Sequence, residues 1–320
     1  CDFGLKPMRL VIALGGNALL RRGEALTAAA QQHNIDVAAR MLAQLAAAGH
    51  HLIITHGNGP QVGLLALQSA AGPAVSALPL DVLDAESEGW IGYAIELALR
   101  NALPPGTEII TLLTQTLVDA DDPAFKTPVK PVGPIYDEAT AKKLAAAQHW
   151  SIAPDGSSWR RVVASPKPLA IIEIASIRRL AEAGAIVVCA GGGGIPVIAG
   201  PDGKLRGADA VVDKDATSAL LASQIKADMF IMLTDVDGVY LDYGTAHARL
   251  VARAGVAALQ MHDTAFKAGS MGPKVQAACD FVAATSHIAG IGQLGDAIAI
   301  AAQKAGTIIA SEPSGIAFSA

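Results

Sequence analysis

The feature that most restricts the fold is Leu10-Val11-Ile12-Ala13-Leu14-Gly15-Gly16-Asn17, five apolar residues running into two glycines and an asparagine. A short unbroken apolar run suits a strand covered on both faces, as in a parallel sheet. Glycines at its end let the chain turn closely and leave peptide N–H groups to face a ligand. The same grammar recurs in His51-Leu52-Ile53-Ile54-Thr55, which ends in His56-Gly57-Asn58-Gly59-Pro60-Gln61. It recurs again in Ala185-Ile186-Val187-Val188-Cys189-Ala190, which ends in Gly191-Gly192-Gly193-Gly194-Ile195-Pro196. In an open parallel sheet, ligands sit at the carboxyl ends of the strands, so the three loops are expected on one rim.

Between these strands the periodicity is helical. Ile35, Ala39, Leu42 and Ala46 share one face of a helix predicted over 27–48, with Gly49 as its stop. Pro60 suits the first turn of a helix. A further helix is predicted over 84–103, broken by Pro104-Pro105-Gly106, and a strand over 108–113. The order β-α-β-α-β predicts right-handed crossovers and a three-layer α/β/α sandwich around a mostly parallel sheet. With 52% hydrophobic but only 4% aromatic residues, the core must be Ala, Val, Ile and Leu.

The pattern breaks between 119 and 168, where seven of the chain's 17 prolines fall. One short helix is predicted there, over 137–149. A stretch this poor in buried strand pattern is expected to leave the sheet as a protruding, Pro-rich lid. The sheet pattern then resumes with a helix over 173–183 and strands over 185–190 and 229–233. Helices follow Val211-Val212-Asp213-Lys214-Asp215 and Gly269-Ser270-Met271-Gly272-Pro273-Lys274, and a strand-helix-strand over 287–309 closes the chain. The expected organisation is residues 1–7 as an extension of low structural weight, an N-terminal part over about 8–200 carrying the insert at 119–168, and a C-terminal part over about 201–320.

Net charge is -5 with a pI near 5.9, which argues against a nucleic-acid or anionic-membrane surface. The uncharged, apolar stretch 183–201 holds six glycines and two prolines, unsuited to a spanning helix. Cys1, Cys189 and Cys279 form no close-spaced pair, so a reducing, cytoplasmic setting is expected and a zinc site is not.

Glycine loops accompanied by lysines point to anion handling, and phosphoryl transfer needs positioning plus positive charge more than covalent help. Lys130, Lys214 and Lys274 each lie beside a Gly, Pro or Asp turn element. At the start of a helix, Lys274 would act on the same phosphate as the helix N-terminus. No G-x-x-x-x-G-K-[ST] occurs, because Gly203-Lys204 is followed by Leu205, which sets aside a P-loop kinase. Residues 57–63 imitate a dinucleotide fingerprint with one residue too many and no well-placed acid downstream, so a dehydrogenase is a poor fit. Lys126 and Lys167 read as solvated charges, His56 and Cys189 as structural residues, and Trp159 as packing between insert and body.

The ordered motifs resemble the carbamate kinases of the amino-acid kinase fold family. They are Ala13 to Ala18, His56 to Gly63, Lys130-Pro131-Val132-Gly133-Pro134, Trp159 to Val163, Ser165-Pro166-Lys167-Pro168, Gly191 to Pro196, Asp213-Lys214-Asp215 and Gly269 to Lys274. The Pro-rich pair, Lys-Pro-Val-Gly-Pro and Ser-Pro-Lys-Pro, is the most specific. The resemblance implies reversible transfer between ATP and carbamate, giving ADP and carbamoyl phosphate, and running towards ATP in arginine fermentation. It also implies a homodimer and Mg²⁺ carried on ATP. Residue by residue, it implies that Lys214 and Lys274 contact the phosphates, that Asp215 orients those lysines, and that Lys130, from the insert, reaches the transferring group when the lid closes. Gly15, Gly16, Asn17, Gly57, Asn58 and Gly59 would bind carbamate and the transferred phosphate through backbone N–H groups. Gly191, Gly192, Gly193, Lys214, Asp235, Ser270, Met271 and Lys274 would bind nucleotide. Kinases of the same fold acting on acetylglutamate, aspartate or uridylate are the nearest alternatives, and a nucleotide sensor without turnover is a more distant one.

Overall fold

In a computed structural model, the chain is described at residues 6–20, 24, 27–71, 78–148, 150–262, 266, 271–312 and 314–319. The apolar run Arg9–Leu14 forms β1, followed by the helical turn α1 (Gly16–Leu19) and helix α2 (Ala28–Ala47). Thr27 caps α2 by accepting from the Ala30 N–H at 3.2 Å. Gly49, at φ +88°, ends the turn that leads to β2 (His51–His56). Helices α3 (Gly59–Ala71) and α4 (Leu80–Ala102) and strand β3 (Ile109–Thr111) complete the predicted β-α-β-α-β run.

A ten-stranded sheet organises the protein, and β1 lies inside it, parallel to β2 and to β12 (Met229–Thr234). Beyond β2 come β9 (Ile186–Val188) and then β3 at the edge, both parallel. The continuous apolar runs have a direct cause: alternate residues enter opposite layers. Val11 and Ala13 pack with Phe230, Met232 and Phe281 on one side. Leu10, Ile12 and Leu14 pack with Ile35, Leu42, Ile91 and Ile95 on the other. Helices α2 and α4 cover that second face. Helices α6 (Ile174–Glu182), α7 (Lys214–Gln224) and the Met271–Thr285 helix cover the first.

The region from 115 to 207 is richer in strand than its sequence pattern suggests. β4 (Gln115–Val118), β8 (Pro168–Ile171), β10 (Ile195–Ala199) and β11 (Leu205–Gly207) make a second sheet. The Pro-rich insert forms a third, antiparallel sheet in the order β5 (Lys130–Tyr136), β7 (Ser158–Val163), β6 (Ser151–Asp155), with α5 (Glu138–Gln148) between its strands. β5 tolerates Pro131 and Pro134 because it is an edge strand whose register shifts between Val132 and Tyr136. It seats on α3 at a glycine pair: a Cβ on Gly63 would lie 2.4 Å from Gly133 Cα.

Helix α4 starts at Leu80, four residues before the predicted Asp84. The Leu80 N–H is held at 3.1 Å by the Asp209 carboxylate, a tertiary cap with no local signature. The described C-terminal strands that the sequence pattern did not suggest, Val239–Leu241, Arg249–Gly255 and Ile316–Phe318, lie together at the far end of the main sheet, where alternation is weak. No helix among the described residues is long and apolar enough to cross a membrane.

Candidate functional site

The carboxyl ends of β1, β2 and β9 meet the starts of three helices around a cleft of about 270 Å³. Gly16, Gly57, Asn58, Gly59 and Gly192 line it on the sheet side. Lys214, Asp215, Pro273 and Lys274 line it on the C-terminal side, and Lys130 reaches it from β5.

The cations are held by two aspartates. Asp213 caps α7, its Oδ1 accepting from the N–H groups of Asp215 at 3.0 Å and Ala216 at 3.2 Å. Its Oδ2 takes the Lys130 ammonium at 2.6 Å. Asp215, on the first turn of α7, bridges the other two lysines. Oδ1 lies 2.9 Å from Lys214 Nζ and Oδ2 lies 2.9 Å from Lys274 Nζ. Lys214 also donates to the Leu14 carbonyl at 3.2 Å, which places it at the end of β1. Burial opposes the Asp215 charge, yet Lys214 and Lys274 outweigh it and hold the carboxyl well below the usual range. Burial also pulls the Lys214 ammonium below its ordinary value, against the opposing field of Asp215.

The sheet-side loops work differently from a uniform row of free amides. The Gly15 N–H is spent on the Leu233 carbonyl at 2.8 Å and the Gly57 N–H on the Leu14 carbonyl at 3.1 Å. Gly15 is required for close approach, because a Cβ there would stand 2.8 Å from Leu233 O. Gly59 lines the cleft and opens α3, where helix geometry supplies no internal acceptor for its N–H. In the third loop, the Gly191 N–H goes to Glu88 Oε1 at 2.9 Å and the Gly193 N–H to the Ala190 carbonyl. The Gly193 carbonyl accepts from Thr116 and Thr217. Gly192, at φ +68°, reaches the cleft, on the same side as Gly57 to Gly59.

Beneath these loops, α4 turns a polar edge inward. Asp84, Ser87 and Glu88 are buried among Leu83, Ile91 and Ile95. Asn58 Nδ2 donates to Asp84 Oδ1 at 3.0 Å and to Ser87 Oγ at 2.9 Å. Burial pushes the Glu88 carboxyl up to about 8, against the pull of the Thr114 and Gly191 N–H groups. Sequence reasoning passed over these three residues. The available signal was polar side chains recurring at helical spacing on a core-facing stripe.

His56 is wholly buried, its pKa pushed down to about 4 by burial, with Lys214 adding to the effect. A neutral imidazole wedged against Gly191 is a structural part. Cys189 and Cys279 are buried free thiols. Asp235 follows β12 and accepts from Thr234 Oγ1 at 3.0 Å. Met271 opens the helix that carries Lys274. Ser270 and the side chain of Asn17 lie outside the described residues. Among the described residues no cluster of three or more His, Cys, Asp or Glu is arranged to hold a metal ion.

Three lysines on two aspartates face glycine loops at the rim of a parallel sheet in an α/β/α sandwich, an arrangement whose chemistry suits anionic phosphoryl groups. The amino acid kinase family model matches residues 8–289. The chain is 49% identical over 311 residues to "Carbamate kinase" of Haemophilus influenzae, covering 97% of this chain and 99% of that one. It is equally identical over the same length to "Carbamate kinase" of Rhizobium meliloti, with 97% and 95% covered. Among solved structures, carbamate kinase from Giardia lamblia bound to AMP-PNP superposes with a TM-score of 0.87 at 39% identity, covering 95% of this chain and 98% of that one. The chain belongs to the amino acid kinase family, and within it to the carbamate kinases.

Proposed function

We propose that the chain catalyses reversible phosphoryl transfer between ATP and carbamate, giving ADP and carbamoyl phosphate. The carrying observation is Asp215 bridging Lys214 and Lys274 at the edge of a cleft whose other wall is Gly16 and Gly57 to Gly59. The two ammoniums, fixed in advance, would neutralise the equatorial oxygens as the phosphoryl group moves. Lys130, on the edge strand of the insert, would add charge from the lid side, exchanging its contact with Asp213 for the phosphate. The Gly59 N–H and the α3 N-terminus would orient the acceptor. Carbamate is already an anion, so no general base is required, and buried, neutral His56 is not asked to be one.

Mg²⁺ would be bound by the nucleotide itself and would supply neutralisation of phosphate charge. Asp213 and Asp215 are taken by lysines, which suits an ion held by phosphate oxygens and water. An acidic pI and two buried free thiols support a cytoplasmic setting.

The expected homodimer is supported by apolar residues beside the edge strand β3. Tyr93, Leu97 and Leu113 are exposed there, and an uncovered strand edge invites a partner. Light scattering of Tyr93→Asp against the parent chain tests this; an unchanged dimer rules out that face.

The deciding assay couples ATP formation to carbamoyl phosphate and ADP, with acetylglutamate, aspartate and UMP offered as acceptors in the reverse direction. Turnover confined to one of those three would replace the carbamate assignment. ATP binding without ADP formation from any acceptor would make the chain a sensor.

A further inference from the structure

We propose that one turn of α4 is a positioning element for the acceptor side of the cleft, with Asp84 and Ser87 acting through Asn58. The proposal rests on the assignment of that side to carbamate and carbamoyl phosphate.

Both amide hydrogens of Asn58 are spent on α4, at 3.0 Å to Asp84 Oδ1 and 2.9 Å to Ser87 Oγ. Ser87 Oγ in turn donates to the Asp84 carbonyl at 3.0 Å, so its lone pair faces Asn58. An amide held at both hydrogens has one orientation. Asn58 is therefore not free to give its N–H groups to a ligand. Its amide lies flat under Gly192: a Cβ on that glycine would stand 2.2 Å from Asn58 Nδ2 and 2.6 Å from Oδ1. One turn on, Glu88 holds the preceding residue of the same loop through the Gly191 N–H at 2.9 Å, and the Thr114 N–H at 3.1 Å. Asn58 and Gly192 both line the cleft. The second and third glycine loops are thus set against each other by a single helical turn.

The arrangement costs free energy that a plain core would not. Asp84 and Glu88 are 3% and 1% exposed, and apolar side chains of similar volume would pack there without desolvating a carboxyl. Asp84 Oδ2 has no hydrogen-bond partner among the described residues. What the two acids supply is loop geometry: Asp84 fixes Asn58, and Glu88 fixes Gly191. An amide at position 84 keeps the oxygen that accepts from Asn58 Nδ2, so Asp84→Asn is the conservative variant.

The test compares Asp84→Ala, Ser87→Ala and Asp84→Asn by steady-state kinetics of ATP formation, varying carbamoyl phosphate and ADP separately. Asp84→Ala should raise KM for carbamoyl phosphate about tenfold, while KM for ADP stays within about twofold. Ser87→Ala should shift the same constant less, and Asp84→Asn should restore most of the loss. Hydrogen exchange at 57–62 and 190–194 should quicken in Asp84→Ala, a readout independent of turnover. A folded Asp84→Ala with an unmoved KM for carbamoyl phosphate overturns the proposal, as do equal rises in both constants. Should Asp84→Ala fail to fold, an unmoved KM in Ser87→Ala overturns it instead. A parent chain that does not turn over carbamoyl phosphate refutes the acceptor assignment, and unchanged exchange in Asp84→Ala then refutes the clasp on its own.

Discussion

Replacing Asp215 with Asn should reveal what the bridging carboxylate does. Two ammoniums lie 2.9 Å from it, and the side chains of Asp215, Lys214 and Lys274 are 7%, 12% and 10% exposed. At an effective dielectric of about 20, each contact is worth about 6 kcal/mol of direct attraction. Desolvation of three charges takes back most of that sum. Removing one partner of such a pair typically costs roughly 3–5 kcal/mol, because the remaining charges stay buried and unopposed. Asp215→Asn should therefore lower thermal stability markedly at neutral pH. It should also lower kcat by about 10²-fold, since repulsion would drive Lys214 and Lys274 apart at the transition state. A third effect has a definite sign. Asp215 holds the Lys214 pKa up against burial. Without it that pKa drops further, the ammonium is lost at lower pH, and the alkaline limb of the kcat/KM profile moves to lower pH. Thermal melts and a pH–rate profile of coupled ATP formation measure all three. A variant with parental melting behaviour and an unmoved alkaline limb would refute the bridging role.

Lys214→Ala and Lys274→Ala should each cut kcat by about 10²-fold or more, and near-parental rates in both would remove the phosphate from this end of the cleft. Lys130→Ala should cut turnover while ADP affinity, measured by calorimetry, stays close to the parent; lost ADP affinity would mean that the insert contacts the nucleotide. Glu88 carries a folded-state pKa of about 8 against an ordinary 4.5. Its proton stabilises the fold fully below the lower value, and that contribution is lost as pH rises through the upper one. Melting temperature should thus fall across that window, and less steeply in Glu88→Gln; identical slopes would show that Glu88 does not titrate there.

The legible parts of the fold are those whose cause is local. β1, β2 and β12 announce themselves because both faces are buried, which leaves no polar position to interrupt the run. The start of α7 is legible because Asp213 caps it within three residues. The start of α4 is not, because its cap comes from Asp209, 129 residues away. The strands of the insert are masked by prolines that only an edge position and a bulge permit. The same division runs through the site. Lys130, Lys214 and Lys274 stand out beside turn residues. The partners of α4 do not, since Asn58 meets Asp84 across 26 residues and Gly191 meets Glu88 across 103. Gly15 and Gly57 are legible as special residues, yet the hydrogen bonds their N–H groups donate depend on the register of β1, β2 and β12.

The two walls of the cleft are built to opposite electrostatic rules, and this bears on how the site closes. On the C-terminal wall, charge is compensated inside the wall: Asp215 neutralises part of two lysines, leaving a net positive patch that is rigid before any phosphate arrives. On the sheet wall, burial keeps His56 neutral, pushes the Glu88 carboxyl up to about 8 and raises that of Asp84 above its ordinary value. A carboxylate at full charge beneath the acceptor loops would repel an anionic acceptor across a medium of low dielectric. The same carboxyl held protonated orients the loops without that penalty. Lys130 belongs to neither wall. It is 38% exposed, sits on an edge strand, and contacts Asp213 rather than Asp215. In the proposed role Lys130 would move between a carboxylate and a phosphate, and its partly exposed pair with Asp213 is screened enough to let go where the buried Asp215 bridge is not. The mobile charge is therefore expected on the insert, with the fixed charges on α7 and the Met271–Thr285 helix.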